Sequence, residues 1–349
     1  MVLGFVGCGD AQAPRRVPSQ PRAIVGLGAN TLEGGFGREQ DVVRQLGIRH
    51  LREELNWPRV EPRRGRLRWA SFDRMLAEAA RRHMTVLPSL QQTPGWLAGD
   101  PDRLPPPAAW ARYVARVVGR YGPGGSFWRF HPELDPALAP RWFELWNEPY
   151  YEAFSADGPD PVRFAAMQRA AAKAGRAANP AARFLMPGET GYTARNGRER
   201  DWLADLYAAD PKLNDVFDGV VAHPYGVGSP LHTDGSRRGQ TLRLDDLLAE
   251  LDARGAADRP VWVTEIGWST CRLRPACAGE GDQAEYFREF FGLVETRWRG
   301  RVQAVFPYHL HDFADGDADD PQQHYGLLRR DGSRKRAWYV VRRGARAAR

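Results

Sequence analysis

Trp142-Phe143-Glu144-Leu145-Trp146-Asn147-Glu148-Pro149 is an apolar, aromatic run that stops on an Asn-Glu pair closed by proline. Aromatic and branched residues favour a strand, and proline ends one. The chain therefore delivers a carboxyl group to the mouth of a sheet or barrel. A second run ends the same way: Val261-Trp262-Val263-Thr264-Glu265-Ile266-Gly267-Trp268.

Outward from these two runs, strand-like and helix-like segments alternate. Strands are expected at 23–29, 49–55, 84–90, 141–147, 182–187, 216–223, 260–266 and 302–309. Helices are expected at 37–47, 69–83, 106–121, 161–178, 199–209, 243–255, 282–299 and 334–346. In the second of these, Phe72, Leu76, Ala79 and Ala80 recur at spacings of three and four. Eight strand-then-helix units predict an α/β fold, a single-domain (β/α)8 TIM barrel over 21–349. An open doubly wound sheet is the alternative. It calls for a glycine-rich phosphate turn after the first strand, and Gly26-Leu27-Gly28-Ala29-Asn30 lacks the third glycine.

In a barrel of this kind, function gathers at the C-terminal ends of the strands. Glu148 and Glu265 fall there, on the fourth and seventh. Strict alternation puts Val261, Val263 and Glu265 on one face, so that apolar residues fill the barrel and the carboxylate tops the column. The same parity aligns Trp142, Glu144, Trp146 and Glu148. Glu144 then lies deeper, where a carboxylate must be paired or protonated. Arg52, on the second strand, is its expected partner, so Glu144 reads as an internal ion pair rather than a catalyst.

At 349 residues with 42% hydrophobic and 27% charged residues, the composition is globular rather than disordered. The net charge of +7 invites a nucleic-acid reading. Against it, only Lys173, Lys212 and Lys335 are lysines, and the arginines are spread along the chain as codon bias would spread them. Arg329 to Arg349 is the one dense basic run, and it reads as the polar side of a last helix. No apolar run reaches the length of a membrane span. Val2-Leu3-Gly4-Phe5-Val6-Gly7-Cys8 resembles the end of a bacterial lipoprotein signal, so residues 1–20 are expected to be a truncated leader and linker, with a lipid anchor at Cys8. Cys271 and Cys277 remain, either as a disulfide stapling one loop in an oxidising compartment or as two free thiols in the cytoplasm. No histidines or further cysteines stand near them at zinc-site spacing.

The stretch Phe143-Glu144-Leu145-Trp146-Asn147-Glu148-Pro149 closely resembles the acid/base motif of glycoside hydrolase family 39. Leu51 to Pro62, with Gly65, Trp69 and Asp73, and the close at Tyr325-Gly326-Leu327-Leu328, Asp331-Gly332 and Trp338, are also similar to such enzymes. The whole barrel thus resembles clan A of the retaining glycoside hydrolases, families 39 and 5 in particular. The resemblance implies that Glu148 is the general acid/base and Glu265 the nucleophile, in a double displacement on a β-linked oligo- or polysaccharide. Retention calls for the two carboxyl groups to stand about 5–5.5 Å apart. Glu148 should start protonated, its pKa raised relative to that of Glu265. Asn147 would bind the sugar 2-hydroxyl, Tyr225 would hydrogen-bond the nucleophile, and His223 would line the same wall. Arg52 would keep Glu265 ionised, a role in tension with pairing Glu144.

Trp96, Trp268 and Tyr308 are candidate sugar platforms. Tyr150 and Tyr151 are nearly as well read as loop packing. Many family 5 enzymes carry a tryptophan where this chain has Phe306-Pro307-Tyr308-His309. His309 and His311 are too few for a metal site and are expected to hydrogen-bond substrate or loop. Asp315, Asp317 and Asp319 resemble a calcium loop, but Asp320 stands where glycine is required and Gly326 where glutamate is. Glu189, after the fifth strand, is the reserve catalytic candidate. The expected protein needs no metal or cofactor, is a monomer, and is extracytoplasmic, with a cytoplasmic location as the alternative. The rival reading is a non-catalytic or transglycosylating polysaccharide-binding barrel of the cell envelope.

Overall fold

The computed structural model describes residues 22–28, 36–231, 241, 243–273, 275–313 and 317–348. Cys8 with its leader, Asp315 and most of the loop 227–242 lie outside these residues. Along the chain the strands are β1 (Ile24–Val25), β2 (Leu27–Gly28), β3 (His50–Asn56), β4 (Thr85–Gln91), β5 (Trp142–Leu145), β6 (Arg183–Pro187), the small antiparallel pair β7 (Tyr192–Thr193) and β8 (Glu199–Arg200), then β9 (Gly219–Ala222), β10 (Val261–Ile266) and β11 (Val302–Pro307). Apart from that small pair, all are parallel, in the order β1-β11-β10-β9-β6-β5-β4-β3-β2. β1 and β2 are two pieces of one strand, parted at Gly26, whose N–H donates to the Val305 carbonyl at 2.9 Å. One piece pairs with β11 and the other with β3, which closes an eight-membered barrel. The parting residue has to be glycine: a Cβ there would stand 2.2 Å from the Phe306 ring.

The helices are α1 (Phe36–Gln45), α2 (Trp57–Val60), α3 (Ala70–Arg81), α4 (Gly95–Ala98), α5 (Pro107–Tyr121), α6 (Ser126–Phe130), α7 (Pro161–Ala178), α8 (Trp202–Ala209), α9 (Arg243–Ala253), α10 (Glu280–Thr296) and α11 (Arg336–Ala347). The eight long ones match the expected segments. α2, α4 and α6 are single-turn pieces too short for periodicity to reveal. α7 shows how local chemistry sets an end. Asp160 caps it by accepting from the Arg163 N–H at 2.9 Å, and Pro161 opens it where no N–H is needed. α11 buries Ala337, Trp338, Val340, Val341 and Ala345, which leaves its arginines as the polar side.

Two apolar layers separate cleanly. Leu87, Leu185, Val221, Trp262, Ala304 and Phe306 form one cluster, with Ile24 and Trp142 against it. These eight residues come from seven different strands and fill the barrel. Val261, Val263, Phe143 and Leu145 instead join the large cluster between strands and helices. The expected parity is therefore reversed along β10: Trp262, not Val261 or Val263, faces inward. Glu265 reaches the barrel mouth because β10 carries an extra residue. Val263 pairs with Val305 but Ile266 with Pro307, three residues against two. A bulge of this kind re-aims the side chains beyond it.

β5 is also shorter than the expected 141–147. It keeps Trp142 and Glu144 inward, then breaks, because Trp146 has φ 82° and Glu148 has φ 39°. Left-handed backbone at residues other than glycine is costly and needs support. The Trp146 N–H donates to Leu90, its ring N–H donates to Phe154, and the ring meets Trp110 edge-on at 5.4 Å. Trp146 thus turns outward into the helix layer. Asn147 and Glu148 are left over the barrel.

Candidate active site

The barrel interior changes from apolar to charged on approaching the C-terminal ends of its strands. Arg52 is the hub. Its side chain is 5% exposed, and that of Glu144 is fully buried. Nε and Nη2 donate to the two oxygens of Glu144 at 2.7 and 2.6 Å, while Nη1 donates to Glu265 Oε1 at 2.7 Å. Nη2 also reaches Asn147 Oδ1 at 2.9 Å and Ser89 Oγ at 3.4 Å. The expected competition between Glu144 and Glu265 does not arise, because a planar guanidinium presents five N–H groups on separate edges.

The second oxygen of Glu265 accepts from the Tyr225 hydroxyl at 2.9 Å. Burial alone would push the Glu265 carboxyl up. The His223 and Arg52 charges, with the hydrogen bonds from Tyr225 and Arg52, outweigh it and hold the group below the ordinary glutamate range. Glu148 has a different partner: His223 Nδ1 stands 2.7 Å from its Oε1. His223 Nε2 lies 2.9 Å from Thr264 Oγ, the residue beside the bulge. Burial works against a charged His223, yet the carboxylates of Glu265 and Glu148 raise its pKa overall. Because Asn147 gives its oxygen to Arg52, its amide NH2 is left for another acceptor.

Glu54 and Asn56 share the inward face of β3 with Arg52. Burial raises the Glu54 carboxyl; Arg52 opposes this and Glu265 adds to it. Glu54 was legible from alternation along β3 once Arg52 was placed inside. Thr264 was not, because the bulge hides its orientation. Glu189 is ion-paired with Arg243 at 2.9 Å and accepts from the Thr190 N–H at 2.7 Å.

The aromatic candidates divide. Tyr308 packs on Tyr225 and Tyr325, with ring centroids 6.4 and 5.7 Å apart. Tyr151 is exposed while Tyr150 is buried against Trp202. Trp268 is buried: its N–H donates to the Gly228 carbonyl and its ring lies among Tyr286, Phe287 and Phe290. Its strand position placed it at the rim, but its side chain turns into the helix layer, so it offers no sugar platform. Trp96 lines a separate cavity with residues of α5. His309 is buried beside Tyr308 and Phe313, and burial pushes its imidazole down to about 4. Among the described residues its Nε2 has no hydrogen-bond partner.

Cys271 and Cys277 form a disulfide, which closes part of the loop between β10 and α10. A small cavity of about 130 Å3 touches Glu148, His223, Tyr225 and Glu189. It shares Tyr151 and Arg243 with a groove of about 1030 Å3 that runs out past Tyr150, Glu152 and Tyr192.

No family model matches the sequence, and no curated protein does. Among solved structures, the chain is similar to a family 39 glycoside hydrolase from the gut symbiont Bacteroides cellulosilyticus WH2, with a TM-score of 0.68 and 20% identity over 93% of this chain and 64% of that one. It is also similar to a monomeric beta-xylosidase from Caulobacter crescentus CB15, with a TM-score of 0.66 and 18% identity over 94% and 69%. An exo-beta-1,4-mannosidase from Opitutaceae bacterium strain TAV5 gives a TM-score of 0.61 and 18% identity over 94% and 59%. The chain spans 64% of the length of the first of these. At such identities the likeness is one of fold.

Proposed function

We propose that this chain is a retaining glycoside hydrolase acting on a β-linked oligo- or polysaccharide. One observation carries the reading: two strand-end glutamates share one barrel mouth and are held by different partners. Arg52 and Tyr225 hold Glu265 as a carboxylate, the state a nucleophile needs. Glu148 is hydrogen-bonded to a histidine and lines the small cavity that meets the groove at Tyr151 and Arg243. The likeness in fold to named glycoside hydrolases supports the same reading.

In this mechanism Glu265 attacks the anomeric carbon while Glu148 protonates the departing oxygen. A glycosyl ester forms on Glu265. Glu148, now ionised, takes a proton from water, and the water cleaves that ester. The leaving group departs on the Glu148 side, through the groove past Tyr151. His223 can follow the proton: it accepts from Glu148 in one state and donates to it in the other, with Thr264 taking the complementary role. Asn147 offers its NH2 to the 2-hydroxyl, where the contact tightens as positive charge grows on the ring. The Cys271–Cys277 bridge supports an extracytoplasmic location.

The test is a pair of variants on a panel of nitrophenyl β-glycosides and β-linked oligosaccharides. Glu265→Ala and Glu148→Ala should each nearly abolish turnover. Azide should rescue Glu265→Ala with inverted product and Glu148→Ala with retained product. A fully active Glu265→Ala protein would sink the assignment.

A further inference from the structure

Beside the barrel mouth, outside the ring of strands, lies a cavity of about 520 Å3 that shares no residue with the one at Glu148. It is bounded by the chain just after β3, by α4 and by α5 from Ala109 to Arg116. Its floor is Trp57, stacked on Tyr113 at 4.8 Å, and Tyr113 is itself tied to the Leu55 carbonyl at 2.9 Å. Trp96 forms a wall with 36% of its surface exposed. The Trp96 ring is fixed, because its N–H donates to the Glu61 carbonyl at 2.7 Å and it meets Trp57 edge-on at 6.2 Å.

Charge makes this cavity unusual. Arg64, Arg112 and Arg116 line it against a single carboxylate, Glu61. Glu61 is buried and committed to the scaffold: it accepts from the Trp57 ring N–H at 2.9 Å and the Gly65 N–H at 2.7 Å. Arg116 lies 3.5 Å from it. Arg64 and Arg112 are exposed and have no carboxylate partner among the described residues. Two free guanidiniums beside a fixed indole face match a sugar ring that bears a planar anion. The ring C–H face would lie on Trp96, and the carboxylate would take paired N–H donors from Arg64 and Arg112.

We propose that this cavity is a second carbohydrate site, for acidic saccharides of the uronate class. A single-stranded nucleic acid fits less well, since it calls for a charged groove with successive stacking rings. Here one exposed ring stands in one compact cavity. The site does not depend on the hydrolytic reading, since its readout is binding and not turnover.

The experiment is calorimetric titration of the full chain with tetragalacturonate, cellotetraose, inorganic sulfate and single-stranded DNA. Tetragalacturonate should bind, weaken with added salt, and bind about ten-fold or more tighter than cellotetraose or sulfate. Arg64→Ala/Arg112→Ala and Trp96→Ala should each weaken it about ten-fold or more, while Arg64→Lys/Arg112→Lys should recover part. Melting by circular dichroism checks that each variant is folded. Unchanged tetragalacturonate binding in the folded arginine or tryptophan variant overturns the proposal. So does sulfate binding as tightly as the sugar, which marks a plain anion site, and so does tighter binding of DNA.

Discussion

Replacing Arg52 with methionine should cost the fold more than any other single change at the site. The substitution roughly keeps volume but strips both oxygens of the fully buried Glu144 of their donors, at 2.7 and 2.6 Å. It also removes one donor from Glu265 and one from Asn147. Breaking a buried pair by removing one partner costs about 3–5 kcal/mol. That is a large share of the roughly 5–15 kcal/mol available to a folded domain. Without the guanidinium, Glu54, Glu144 and Glu265 lose the cation they share in the barrel, and His223 remains only beside Glu265 and Glu148. Their relief is protonation, so the loss should be greater at pH 8 than at pH 5. Arg52→Met/Glu144→Leu removes both charges of the pair and should recover most of the stability, because apolar replacement of a buried pair is often neutral or favourable by about 1–4 kcal/mol. It should not recover activity, since Glu265 still lacks its donor. Urea denaturation followed by tryptophan fluorescence measures both. A single variant less than about 1 kcal/mol below the parent, or a double variant no more stable than the single, would refute the reasoning.

Tyr225→Phe takes one hydrogen bond from an ionised carboxylate, about 1.5–3 kcal/mol, and should lower kcat/KM roughly ten- to hundred-fold. The Glu265 carboxyl should rise with the loss, so the acid limb of the pH–rate profile should move to higher pH. His223 is held above the ordinary histidine value, so its contribution to stability is full below about pH 6.5 and is lost as pH rises through the raised value. The stability gap between the parent and His223→Asn should therefore narrow in alkali, as read by urea midpoints across pH. Cys271→Ser/Cys277→Ser opens a loop with a sequence separation of 6 and should cost about 2 kcal/mol, a loss that dithiothreitol reproduces in the parent. Gly26→Val forces a side chain onto the Phe306 ring and should destabilise by about 1–3 kcal/mol, with Phe306→Leu recovering part.

The barrel was legible because its signals are local. Each strand is a short apolar run, each helix repeats at three and four, and eight such units admit few closures. The site was legible in outline for the same reason, since a strand end fixes which rim a residue occupies. Orientation was less so. Alternation assigned Val261 and Val263 to the barrel interior, and the bulge in β10 reversed them while still bringing Glu265 to the mouth. Trp268 followed Glu265 by three residues and was expected to face the rim, yet three rings of α10 receive it. Neither outcome could be read from spacing, because each depends on a partner far away in the chain.

By itself, the sequence determined the barrel class, the strands that carry Glu148 and Glu265, and the burial of Glu144. Those follow from periodicity, proline placement and the cost of an unpaired interior charge. Tertiary structure alone decided that one arginine serves Glu144, Glu265 and Asn147 together, that His223 bridges Glu148 to Thr264, and that the Trp-Asn-Glu turn is left-handed at two residues. Hydrogen bonds are directional and these residues lie up to 213 positions apart. Only closure of the barrel brings them within reach of one another.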